Sequence, residues 1–360
     1  MISDESPATV PAVACRAVRL GYERNVVVPD LDLSVAPGEL VALLGPSGSG
    51  KTTLLSAIAG FVPVLGGEIQ IDGRVVSSAR RHVAPENRSV GFVFQSHALW
   101  PHLSALDTVA YPYRRQGNSR AGARIQAGKI LERLGIGRLA GRRPAQLSGG
   151  EQQRVGLGRA LARGARVLLF DEPTANLDAA LRATLQAEIA EQRRASGAAA
   201  LYATHDTAEA LAVADRVALL RDGLLIQQGT PAEVYERPVD GWAARLTGPV
   251  SLLEVGLADV RDGHASVRVG CGMARGVVVD GAPGDGPPTL ALVRPDWARL
   301  GGELTGRLDA VAYRGTHTDY QVATAAGIVR IRASGPPRLQ PGATTGWSLE
   351  RAWLLPAEPD

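Results

Sequence analysis

The run 40-LVALL-44, with 45-GPSGSGKTT-53 after it and 53-TLLSAIAG-60 beyond, constrains this chain more than any other stretch. Five consecutive apolar residues read as a strand buried on both faces. A glycine-rich loop then leads into a helix closed by Gly60. A strand that feeds a helix through such a loop belongs to a mostly parallel α/β sheet. The loop fits G-x-x-x-x-G-K-[ST] without substitution, through Gly45, Pro46, Ser47, Gly48, Ser49, Gly50, Lys51 and Thr52, and Thr53 continues the helix start. Backbone N–H groups in such a loop curl round a phosphate, and the positive end of the helix adds to them. Lys51 is expected to bridge β- and γ-phosphates, and the Thr52 hydroxyl to ligate Mg²⁺.

Basic residue usage sharpens this reading. Of 39 basic residues only Lys51 and Lys129 are lysines. The chain uses arginine almost everywhere, yet places an ammonium in the loop, where a compact point charge fits between phosphates and a planar guanidinium does not.

Four further candidates end three strands. The apolar run 167-VLLF-170 stops at Asp171 and Glu172. Neighbouring side chains on a strand point to opposite faces, so the two acids can do different work. Asp171 is expected to hold Mg²⁺ through water, and Glu172 to orient and deprotonate an attacking water. His205 follows 199-AALYAT-204 and is placed to donate to a γ-phosphate; Gln95 follows 89-SVGFVF-94, and its amide can reach Mg²⁺ or the water. A second glycine-rich stretch, 147-LSGGEQQRVGLGRALARG-164, also looks like an anion site: Ser148 can cap a helix whose N–H groups, from Gly149 and Gly150, face outward.

Hydrophobic residues make up 45% and charged ones 21%, a globular balance, and no stretch reads as a membrane span. The opening MISDESPATV carries acids and lacks an apolar core, so it does not read as a secretory leader. Cys15 and Cys271 form no CxxC pair and are expected to be reduced, in a cytoplasmic setting. A net charge of +3 argues against a general nucleic-acid binder. The charge is uneven: residues 114–166 hold twelve arginines and one lysine against two glutamates, a net of +11. This is either a solvated face or a surface near anionic lipid or an acidic partner.

Strands and helices alternate to about Pro238, and short strands punctuated by Gly and Pro follow from 251. We expect an α/β domain over 1–237, with a helical subdomain at about 96–165, and a small β-barrel or sandwich over 238–360. The boundary is expected as a linker around 236–250.

In this order the glycine loop, Gln95, LSGGEQQ, VLLFDEP, 175-ANLD-178 and His205 resemble the ATP-binding cassette of ABC transporters over roughly residues 10–237. The resemblance implies a P-loop NTPase fold, ATP and Mg²⁺ as ligands, and ATP hydrolysis. It implies that Tyr22 stacks on adenine and that Asp178 is the acid contacting the opposite subunit. Two copies would pair head-to-tail, with Ser148, Gly149 and Gly150 of one capping the γ-phosphate held at Lys51 of the other. Ala175 departs from the more usual serine. The run 93-VFQSHALWPHLSALDTVAYP-112 is similar to importer ATPases for iron(III), polyamines, sulfate and sugars, where this region receives a helix of the membrane subunit. With 293-VRPDWARL-300 and 312-AYRGTHTDYQV-322, the C-terminal region resembles an OB-like TOBE domain, and the whole is most like ferric-iron or polyamine importers. Partners implied are a second copy, two membrane permeases and, indirectly, an extracytoplasmic solute-binding protein, at the cytoplasmic face of the membrane. A soluble ABC ATPase of DNA repair or translation usually carries two cassettes or a long coiled coil, and a β-barrel tail of this kind is unusual in an exporter. Trp297, Tyr313, Tyr320, Trp347 and Trp353 are too scattered to stack bases, so the β region is expected to stabilise a dimer or regulate rather than bind nucleic acid.

Overall fold

The computed structural model describes residues 10–22, 25–96, 98–174, 179–261, 263–280 and 289–355. The chain divides into two compact units, residues 1–231 and 232–360.

The first unit is built round a six-stranded sheet in the order Leu224–Gly229, Arg216–Arg221, Leu40–Leu44, Ala199–Thr204, Val167–Asp171, Val90–Val93. All neighbours run parallel except the Leu224–Gly229 edge. The two-residue period of a strand explains how such apolar runs are used. Val41 and Leu43, Val167 and Leu169, and Ala199, Leu201 and Ala203 enter one core, with Leu54, Leu55 and Ile58 of the helix Lys51–Ala59. Leu40, Leu168 and Phe170, and Ala200 and Tyr202 enter the other, with Val109, Ala127, Leu131, Val155 and Leu157 of the helical segment. The first core is closed on its far side by the antiparallel strands Val13–Tyr22, Gly66–Ile71 and Arg74–Ser78. The helical segment comprises Ala105–Arg115, Arg120–Arg133 and Gly149–Ala162, each entered through a serine whose side chain accepts a first-turn N–H.

Arg88 ties the loop helix to this framework. Its buried guanidinium donates to the carbonyls of Ala57 and Ile58, at the carboxyl end of Lys51–Ala59, and to Val83 and Val76. A cation there complements the helix dipole and satisfies carbonyls left open by the helix end. Burial lowers its pKa to about 10, so the charge persists at neutral pH.

In the second unit the strands Ser251–Arg261, His264–Val269, Gly272–Asp280, Arg351–Leu355 and Thr289–Val293 close into a barrel. Gly327–Ser334, His317–Thr324, Ala298–Tyr313 and Thr344–Leu349 form a four-stranded sheet. Trp347 and Tyr320 are buried in their shared core. Residues 236–250, expected as a linker, instead contain the helix Gly241–Thr247, capped by Asp240. The buried Arg294 holds the end of that helix, donating to the carbonyls of Ala244, Gly248 and Pro249 and to Tyr235.

Some strands escape the sequence pattern. Gly66–Ile71 and Arg74–Ser78 form a hairpin through Asp72 and Gly73, both at positive φ, in a stretch with little alternation. In Gly272–Asp280 the register slips between Ala274 and Val277, with Gly276 at φ 66°, a bulge whose glycines read as a turn in sequence. The run 346–355 is two strands, parted at Glu350.

Candidate active site

The parallel register brings the candidate residues to one edge of the sheet. Leu44 pairs with Thr204, Ala203 with Asp171, and Phe170 with Val93. Gly45, His205, Glu172 and Gln95 therefore leave the carboxyl ends of adjacent strands, where open α/β sheets bind ligands.

Within the loop, the Lys51 ammonium donates to the carbonyls of Gly45 at 2.8 Å and Pro46 at 2.9 Å. Desolvation lowers its pKa, opposed by Glu172 and Asp171. Two glycines are required by geometry. A Cβ on Gly45 would stand 2.2 Å from the Leu220 carbonyl, and Gly50, at φ 95°, would meet Val28 at 2.8 Å. Gly48, at φ 82°, has open space where a side chain would stand, and its left-handed backbone is one that glycine adopts without strain. A cradle of this shape, with a buried ammonium at its base, fits a polyphosphate.

Thr52 donates its hydroxyl to Asp171 Oδ1 at 2.9 Å. Burial raises the Asp171 pKa, the Thr52 hydrogen bond lowers it, Glu172 raises it and Lys51 lowers it. A hydroxyl beside a single carboxylate suits Mg²⁺, which keeps waters and takes its other ligands from phosphate. Among the described residues no cluster of three or more His, Cys, Asp or Glu could hold a metal by itself. Bound there, Mg²⁺ would supply charge neutralisation of β- and γ-phosphate oxygens.

Glu172 sits at φ 44°, a left-handed conformation that costs a non-glycine residue energy and recurs at functional sites. The turn sends its side chain away from the path of Asp171 and into the company of two others. Gln95 Nε2 donates to Glu172 Oε2 at 3.1 Å, and His205 Nδ1 lies 3.0 Å from Oε1. Carboxylate, imidazole and amide thus form one cluster, able to hold a water and a phosphate oxygen together.

Tyr22 ends the strand Val13–Tyr22, is 53% exposed, and pairs with Asn25. Its antiparallel partner strand, Asn25–Val28, carries the Val28 side chain that packs on Gly50, so the strand pair flanks the glycine loop. Ser148 caps Gly149–Ala162: its Oγ accepts from Glu151 N at 3.3 Å, and its own N–H donates to Glu151 Oε2 at 2.9 Å. That reciprocal box preforms the helix start, and Ser148 and Gly149 are exposed on it. These residues belong to the helical segment rather than to the edge that carries Lys51 and Glu172. Asp178, with 175-ANLD-178, lies outside the described residues.

The ABC transporter family profile matches residues 28–175, and a TOBE domain profile matches residues 291–355. An Fe(3+) ions import ATP-binding protein, FbpC 1 of Rhizobium meliloti (strain 1021), is 44% identical over 334 residues, covering 89% of this chain and 90% of that one. The chain is an ABC transporter ATPase. An FbpC protein of Agrobacterium fabrum is 40% identical with the same coverage. An sn-glycerol-3-phosphate import ATP-binding protein of Rhizobium johnstonii is 43% identical over 67% of this chain and 65% of its own. Among solved structures, a dimeric ATP-binding cassette in a post-hydrolysis state with ADP and Pi superposes with a TM-score of 0.56 at 29% identity, over 61% of this chain and 98% of that one.

The ABC ATPase carries one further feature beside Gln95. Phe61, Phe92 and Phe94 cluster with ring centroids 4.2 to 5.7 Å apart. Trp100 and Tyr111 pack with tilted rings, centroids 4.8 Å apart, and the Arg159 guanidinium lies 5.3 Å above Trp100. Together they line a cleft of about 280 Å³ between sheet edge and helical segment. Phe61 is 50% and Tyr111 41% exposed, a large aromatic surface for a monomer to show water. Sequence inspection singled out the run 93–112 but not Phe61 or Arg159, which reach the cleft from distant positions.

Proposed function

We propose that this chain is the ATPase subunit of a solute importer, that it works as a head-to-tail pair on two membrane permease subunits, and that its solute is ferric iron. The aromatic cleft carries the reading. It offers an aromatic surface, with Phe61 and Tyr111 exposed, to the apolar face of an amphipathic helix, and Phe92 on the strand Val90–Val93 and Phe94 just after it lead to Gln95. A partner helix pressed there moves the residue that holds Glu172 at 3.1 Å, which links transport to hydrolysis. No helix among the described residues is long and apolar enough to cross a membrane, in keeping with a peripheral place on permeases at the cytoplasmic face. Ferric iron is favoured over polyamine, sulfate or sugar by the names of the relatives similar over most of the chain.

In the hydrolytic site the backbone from Gly45 to Thr53 binds the phosphates, Lys51 holds the β- and γ-groups, and Thr52 and Asp171 would hold Mg²⁺. Glu172 accepts a proton from the attacking water at Oε1 or Oε2. Gln95 orients that water, and His205 donates to the γ-phosphate. Tyr22 supports adenine. Ser148, Gly149 and Gly150 complete the site on the other copy, and Asp178 contacts that copy. The work of this chain is positioning and charge stabilisation, as phosphoryl transfer to water requires.

Tyr111→Arg should abolish co-purification with the permease while nucleotide binding by the isolated chain stays unchanged. Unaltered co-purification would remove the cleft from the account. In reconstituted complexes, a binding protein loaded with iron(III) should stimulate ATP hydrolysis, and polyamine, sulfate or sugar should not. Stimulation by one of those alone would correct the solute.

A further inference from the structure

Glu209 is a buried carboxylate outside the glycine loop. It lies in the first turn of the short helix Thr207–Val213 and gathers three donors from three elements. Thr204, the residue before His205, donates its hydroxyl to Oε2 at 2.6 Å. Thr174, two residues after Glu172, donates to Oε1, and Gln186 Nε2 donates to the same oxygen at 3.1 Å. Gln186 belongs to Ala179–Ser196, the helix that follows 175-ANLD-178 in the chain.

The local sequence would send this side chain elsewhere. Asp206 caps the helix by accepting the Glu209 N–H at 3.1 Å, and in a reciprocal box the glutamate would return to the Asp206 N–H. That N–H donates instead to the Thr204 hydroxyl at 3.0 Å. The glutamate is thereby released to the interior, and Thr204 becomes a relay from the Asp206 backbone to the Glu209 carboxylate. Arg182, on the same helix as Gln186, holds Asp206 Oδ2 at 2.8 Å. A buried carboxylate is tolerable only when its oxygens are satisfied, so the three donors cannot drift independently. Thr174, Thr204, Arg182, Asp206 and Glu209 line one cavity of about 260 Å³ with Gln95, Glu172 and His205.

We propose that Glu209 is a positioning residue for hydrolysis. It fixes the loop carrying His205 against the segment carrying Glu172, and so holds Nδ1 of His205 at 3.0 Å from Glu172 Oε1. The inference rests on the assignment of Glu172 and His205 to the hydrolytic step. Loss of the carboxylate leaves the phosphate loop intact, so it acts on turnover and not on nucleotide binding.

The test is steady-state ATP hydrolysis and nucleotide-binding stoichiometry of the full-length chain. Glu209→Ala should lower kcat by about tenfold or more with KM for ATP within about twofold and one nucleotide still bound per chain. Glu209→Gln should recover most of the loss, because its amide oxygen accepts from Thr174 and Gln186 and its NH₂ donates to Thr204. Thr204→Val, which removes one donor at nearly constant shape, should lower kcat in the same way and carries the test if Glu209→Ala does not fold. In a His205→Ala background, Glu209→Ala should add less than about twofold. Wild-type kcat in Glu209→Ala, the same fold loss in both backgrounds, or a loss that tracks nucleotide stoichiometry would overturn the inference. Full turnover by Glu172→Gln in the same assay would instead overturn the assignment beneath it.

Discussion

Glu172→Gln is expected to lower ATP turnover by about 10²–10⁴-fold, the range associated with loss of a positioned general base. Nucleotide binding should persist, because the hydrogen bonds of Glu172 go to Gln95 and His205 and the amide keeps the shape that these two surround. Removing a negative charge beside Lys51 and Asp171 also relieves repulsion with ATP phosphates, so the variant should accumulate as an ATP-bound pair of chains. Stopped turnover assays with nucleotide-binding titrations and gel filtration check this. Turnover near wild type would show that another group takes the proton. ATP-saturated chains eluting only as monomers would count against the pair.

Ser148→Arg is the second variant with a large expected effect. Ser148 is exposed at the start of Gly149–Ala162 and preformed by its box with Glu151. If these N–H groups cap the γ-phosphate of another copy, a bulky side chain there should block closure and lower turnover by about 10²–10³-fold, as loss of preorganised donors does. Binding of ATP to the single chain should be unaffected, since Lys51, Thr52 and Asp171 are untouched. Reduced affinity in the isolated chain would mean that the Ser148 loop meets its own nucleotide.

What sequence could reveal here follows from how the site is made. Gly45–Thr53, Asp171, Glu172, Gln95 and His205 each end an apolar run, and a parallel sheet gathers strand ends on one edge. Continuous apolar runs and the glycine pattern mark the strand ends that these residues occupy. Groups that act across the chain left no such mark. Arg88 reaches back to Ala57 from 31 positions away, and Arg294 looked like part of a TOBE motif rather than the buried clamp of Gly241–Thr247. Glu209 was hidden for a local reason: Asp206-x-x-Glu209 reads as a capping pair, yet Thr204 takes the Asp206 N–H and leaves the carboxylate free to turn inward. The positive φ of Glu172 is likewise invisible in sequence, because an acid after a strand carries no dihedral signature. The strand Gly272–Asp280 carries no clear sequence mark, because a bulge at Gly276 breaks the alternation of its side chains.

In the proposed head-to-tail pair one ATP lies between the glycine loop of one copy and the Ser148 loop of another. Both loops are exposed, at Ser47 and at Ser148. Of the native cysteines, Cys15 is buried and Cys271 exposed, so Cys271→Ser leaves a background with no exposed thiol among the described residues. In that background, with Glu172→Gln to hold ATP, Ser47→Cys chains mixed with Ser148→Cys chains of a different tagged length should cross-link through a short bis-thiol reagent. The product should be the mixed pair, dependent on ATP and Mg²⁺. No mixed product with ATP, or efficient bridging within a single chain that carries both cysteines, would contradict the account.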